Sequence, residues 1–151
     1  MTLIRRYKSL GTNLEKLYDD IVAEIRKEPK LNVVSEMKGE VNGVPMMSVT
    51  ASRSSIPKML VGTLREVTVT ISGIPDDFLI EMHIGEWLRS LILPHTDTIL
   101  IVGPLTGLAA AGNAGLLAAS YGRDLKQKIK ELVKKNSDSD YTDEKIETFI
   151  D

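Results

Sequence analysis

A chain of 151 residues, 42% apolar and 26% charged, has the composition of one ordinary globular domain. A chain of this length buries roughly 68–70% of its unfolded surface, which excludes disorder as the overall state. The absence of cysteine excludes a disulfide scaffold, thiolate zinc ligation and thiol catalysis, and a net charge of −2 argues against bulk electrostatic capture of nucleic acid.

Residues 1–11 carry Arg5, Arg6 and Lys8 but no apolar run behind them. They read as an exposed basic arm, not a signal peptide, and a cytoplasmic location is the default. Residues 12–135 read as a single α+β domain, and residues 136–151 as an acidic tail.

The first element is a helix over about 13–27. Thr12 and Glu15 have the spacing of a capping box, and Leu14, Leu17, Tyr18, Ile21 and Ile25 repeat at helical spacing before Pro29 stops the run. A hairpin follows. Glu36, Lys38 and Glu40 alternate with Met37 and Val41, Asn42-Gly43 is the favoured pair for a type I′ turn, and Val44 to Ala51 returns. On this reading Val33, Met37 and Val41 face the core, and Pro45 favours an edge position for the return strand. A second pair is written by Val67, Val69 and Ile71, a turn at residues 73–77, then Phe78, Ile80, Met82 and Ile84. Residues 85–94 read as a crossover, and 99–102 as a possible fifth strand.

Pro104 then opens a long Gly/Ala-rich helix reaching about Lys135. Its distinctive feature is the register Gly103, Gly107, Ala111, Gly115 and Ala119, spaced by four. Each interior glycine costs about 1 kcal/mol against alanine, so the stripe is expected to serve close helix packing or self-association. The uncharged interval 98–122 is also long enough to span a bilayer. Only eight of its residues are Leu, Ile or Val, so insertion is marginal and burial against protein in water is the favoured reading. The expected fold is thus α+β, a mainly antiparallel sheet of four to five strands covered by an N-terminal helix and the long C-terminal helix.

Signals for chemistry are sparse. His83 and Glu86, with His95 and Asp97, are the only candidate metal ligands, and no helical two-histidine spacing joins them, so no metal site is expected. No serine lies in a glycine-flanked elbow. The glycines after Val102 lack the lysine of a phosphate-binding loop. No catalytic residue and no cofactor is implied.

In the tail, Ile146, Phe149 and Ile150 recur at i, i+3 and i+4, the form of a short amphipathic helix that docks in a partner's groove. Their order resembles part of the box by which replication proteins bind sliding clamps, with Asp143 where that family has glutamine and Ile150 at the second aromatic. The resemblance implies a protein partner through Ile146, Phe149 and Ile150. The alternative, favoured here, is a tail folded back with its acids against the lysines of the preceding helix.

Taken together, these features predict a non-enzymatic interaction or assembly module whose first partner is itself. Nucleic acid is not favoured as a partner, and membrane association through 98–122 is the lesser alternative. A binding domain for a small apolar ligand is the other, and would need a pocket lined by Met37, Met82 and Phe78.

Overall fold

The computed structural model describes residues 1–53, 66–85 and 118–151. In chain order the elements are β1 (Thr2–Lys8), α1 (Leu14–Arg26), β2 (Asn32–Val41), β3 (Val44–Ser52), β4 (Glu66–Ile74), β5 (Asp77–Gly85), α2 (Ala118–Lys135), a short turn of 3-10 helix (Asp143–Lys145) and β6 (Ile146–Ile150). The strands form one antiparallel sheet in the order β2-β3-β4-β5-β1-β6. The α+β class and antiparallel sheet are as the pattern implies. Among the described residues the sheet has six strands, not four or five, because both the N-terminal arm and the acidic tail are strands.

The arm is the larger correction. Leu3 and Tyr7 of β1 are fully buried, and Tyr7 stacks on Phe78 of β5 with ring centroids 5.1 Å apart. The charges that suggested exposure are neutralised in place: Arg6 forms a two-pronged pair with Asp77 at 2.6–2.7 Å, and Arg5 reaches Asp151 at 3.0 Å.

Helix α1 forms where expected, but its cap differs. The Asn13 side chain accepts from the Lys16 N–H at 3.1 Å, while Thr12 is buried and shares a 2.6 Å hydrogen bond with the Ser137 hydroxyl. Thr12 is held one residue outside the helix because its own N–H donates to the Pro75 carbonyl and the Asn13 N–H donates to that of Asn136. Leu17, Tyr18, Ile21, Val22 and Ile25 make the buried face of α1. They meet Leu125, Ile129, Leu132 and Val133 of α2 and the inward side chains of the sheet in one continuous core. Val49, Val67, Val69, Ile71, Phe78, Ile80, Met82 and Ile84 supply the sheet's share, so the alternation of β4 and β5 points as its sequence indicates.

Strand β2 does not. Its turn is as expected, with φ of 52° at Asn42 and 79° at Gly43. A register shift between Val33 and Ser35, however, inserts an extra residue and reverses the faces beyond it. Glu36 is then opposite buried Val49, on the helix side, where it faces the Tyr18 hydroxyl and pairs with Arg26 at 3.2 Å. Met37 and Val41 turn to the opposite, open face and are 54% and 52% exposed.

Pro45 sits on an interior strand, not an edge. The β3–β4 ladder begins one residue later, at Met46 opposite Ser72, so the missing N–H costs no ladder bond.

The segment from Pro104 to residue 117, assigned above to a long helix, lies outside the described residues, as do 99–102 and, beyond Gly85, the crossover at 85–94. From Ala118 onward the helix is present as expected. Among the described residues no helix is long and apolar enough to cross a membrane.

Candidate functional site

The residues singled out in the sequence do not converge. Gly103, Gly107, Ala111 and Gly115 lie outside the described residues, and Ala119 is exposed on α2. His83 stands exposed on the open face, its Nδ1 3.1 Å from the Thr2 hydroxyl, and Glu86 lies outside the described residues. No group of three or more His, Asp or Glu among the described residues is placed to hold a metal ion. Phe78 and Met82 are packed in the core while Met37 is on the opposite face, so these three line no common pocket.

The tail triad is rearranged. Ile146, Phe149 and Ile150 lie on a strand, not a helix: Ile146 is opposite Tyr7, Ile150 is opposite Ile4, and the register shifts between them. Ile146, opposite buried Tyr7, packs against the core, and the bulge beyond Thr148 sets Ile150 opposite Ile4 on the other face, with Phe149 and Ile150 half exposed. The helical i, i+3, i+4 spacing is therefore a strand's alternation interrupted by one extra residue.

The tail does fold back onto α2. Asp151 accepts both Lys126 and Arg5 at 3.0 Å, in a cleft of about 520 Å³ between α2 and β6 that Arg123, Lys130, Tyr141 and Asp143 also line. The Lys126 hydrogen bond, aided by the Arg5 charge and opposed by burial, holds the Asp151 carboxyl below the usual carboxylate range. Burial opposes the Arg5 charge, but Tyr7 and Asp151 outweigh it and raise its pKa. Lys130 and Lys134 lie over the Tyr141 ring at 5.9 and 5.1 Å. Lys126 and Arg5 thus share the chain's own carboxylate, while the buried Arg5 Nε has no hydrogen-bond partner among the described residues.

Besides Val34, Phe149 and Ile150, the exposed large apolar side chains include a group at the other end of the sheet. Across the centre of the open face, hydroxyls pair with one another, Ser48 with Thr70 at 3.0 Å and Thr50 with Thr68 at 3.1 Å. Met37 is exposed beside that ladder, opposite Ser48, and toward the two hairpin turns Val41, Val44 and Ile74 are exposed as well. Val44 and Ile74 share a shallow groove of about 370 Å³ with Leu79 and the Arg6–Asp77 pair. In that pair the Arg6 hydrogen bond holds the Asp77 carboxyl below its ordinary range, so the groove carries a fixed ion pair beside apolar walls. Sequence reasoning missed this corner because it assigned Met37 and Val41 to the core. The available signal was the Asn42-Gly43 turn, which places Val41 and Val44 side by side on one face whichever face that is.

Comparison with known proteins gives no match, either to a protein-family model or to a curated sequence.

Proposed function

We propose that this chain is an interaction and assembly module without catalytic machinery, and that it associates with itself through the apolar corner of its open sheet face. The observation that carries the reading is a contrast. Phe78 and Met82 are wholly buried, whereas Met37, Val41, Val44 and Ile74 stand half exposed on the opposite face of the sheet. Apolar side chains scattered singly over a surface need no explanation, but a contiguous group rimmed by polar residues marks a contact surface. The hydroxyl ladder and the Arg6–Asp77 pair provide that rim.

Light scattering coupled to size-exclusion chromatography, over a concentration series, tests it. The expected result is a rise from monomer to dimer mass. In the double variant Met37→Ser/Val41→Ser the rise should move to higher concentration with the thermal melt little changed, because both side chains already face solvent. Monomer mass throughout for the parent chain would refute self-association.

A further inference from the structure

The outer edge of β2 pairs with no strand among the described residues, and the strand is ten residues long. In the two-residue hairpin Val41 and Val44 form a hydrogen-bonded pair. Counting back from there, the N–H and C=O groups of Glu36, Lys38 and Glu40 turn away from β3, toward that free edge. Between the last two lies Gly39. Its φ is not positive, and a Cβ there would meet nothing within 4 Å, so nothing among the described contacts calls for glycine. Glycine within a strand weakens it, and a recurring reason for keeping one is the close approach of another backbone.

Resting on the self-association argued above, we propose that the occupant of this edge is β2 of a second copy, antiparallel, with the two-fold axis passing through Gly39. The pattern of charge selects this register. With the axis at Gly39, Lys38 of each copy lies opposite Glu40 of the other, and both belong to the set whose backbone groups face outward. Those two pairs supply the ladder bonds and two opposite-charge contacts. On the open face Met37 comes opposite Val41 of the second copy, twice, at the non-hydrogen-bonded positions where Cα atoms approach to about 4.5 Å. Without a side chain at 39, these apolar pairs are free to close over the axis.

The neighbouring registers are poorer. An axis at Lys38 sets lysine against lysine and Glu36 against Glu40. An axis at Met37 extends the pairing into the bulge between Val33 and Ser35, where the ladder is already irregular. A shift by a single position would oppose side chains on different faces and is not available.

Charge exchange tests the register in the full chain. Lys38→Glu and Glu40→Lys each convert both cross-strand pairs to like charges. Each should weaken the dimer roughly tenfold or more. An equimolar mixture of the two variants should restore a dimer containing one of each, read by native mass spectrometry, with circular dichroism confirming that both variants fold. Weakening by Lys38→Glu but not by Glu40→Lys would overturn the axis at Gly39. A parent dimer indifferent to both changes would overturn β2 pairing while leaving self-association standing. A parent chain that never dimerises would overturn both.

Discussion

Gly73 offers the sharpest test of the backbone geometry. It lies in β4 opposite Phe78, with φ of +124°, a conformation that residues bearing a Cβ rarely adopt. A Cβ at this position would fall on the carbonyl oxygen of Asp77 and lie 2.8 Å from the Phe78 Cα. Both are backbone atoms of the paired strand, so neither can rotate away as a side chain would. The dihedral strain costs about 1–3 kcal/mol, and forced displacement of a packed neighbour about 1–3 kcal/mol more. The same hairpin anchors the segment before α1, since the Ser9 and Thr12 N–H groups donate to the carbonyls of Asp76 and Pro75 and the Gly11 N–H donates to the Asp76 side chain. Displacement there therefore propagates instead of being absorbed locally. Gly73→Ala should lose about 2–6 kcal/mol from a total of about 5–15. For a domain of this size that is a drop in Tm of roughly 5–20 °C. Gly39→Ala is the internal control: open space and an ordinary φ make it neutral, or stabilising by about 0.4–1 kcal/mol, at dilutions where the chain is monomeric. Urea and thermal denaturation measure both. A Gly73→Ala protein within about 1 kcal/mol of the parent would refute the steric argument.

Two further outcomes follow from side chains described above. Asn13→Ala should cost about 1 kcal/mol by removing the cap on the Lys16 N–H, whereas Asn13→Gly should cost only a few tenths; equal losses in thermal melts would mean the cap bond is not the cause. Burial raises the Tyr7 phenol above its ordinary range, and burial with the nearby Glu36 carboxylate pushes Tyr18 up to about 12. A raised phenol contributes stability that is complete below its ordinary value of about 10 and is lost as pH rises through the folded value. Stability should therefore fall above about pH 10, and Tyr7→Phe should reduce that fall while leaving neutral-pH stability within about 1 kcal/mol. An unchanged alkaline slope in urea titrations of Tyr7→Phe would show that Tyr7 is not the group responsible.

Where alternation is uninterrupted, the chain's pattern could be read directly. Val67, Val69 and Ile71 face Phe78, Ile80, Met82 and Ile84 across a two-residue turn, and the helical repeats of α1 and of Leu125 to Val133 are buried as their spacing implies. The errors have a common physical source. Both edge strands contain a bulge, and one extra residue changes the face of everything beyond it. In β2 this exchanged Met37 and Val41 for Glu36 and Lys38 on the core side. In β6 it mimicked a helical repeat. A bulge is fixed by the neighbouring strand's register, so it leaves little trace in the local sequence. Strand β1 was missed for a different reason: Arg5 and Arg6 are neutralised by Asp151 and Asp77, partners remote in sequence. The apolar corner was hidden by the same bulge, whereas the Gly39-centred charge alternation lay in plain view and gained meaning only once β2 was placed at an edge.

The position of β1 between β5 and β6 dictates an order of events in time. Thr2 contacts His83, 81 positions away, and Arg5 contacts Asp151, 146 positions away, whereas β2–β3 and β4–β5 are each joined by a two-residue turn. Hairpins of that kind close within microseconds, while contacts between distant segments must first overcome the entropy of a long loop. The two hairpins can therefore form while β1 still waits, with Leu3 and Tyr7 exposed and both of its edges unpaired. Enclosure of β1 by β5 on one side and β6 on the other is the late step that joins the two ends of the chain. This topology belongs with folds of high contact order, in which folding is slow relative to stability. Until that step is complete, β1 is an apolar strand open to pairing with other molecules, and chaperone dependence during synthesis would be felt there first.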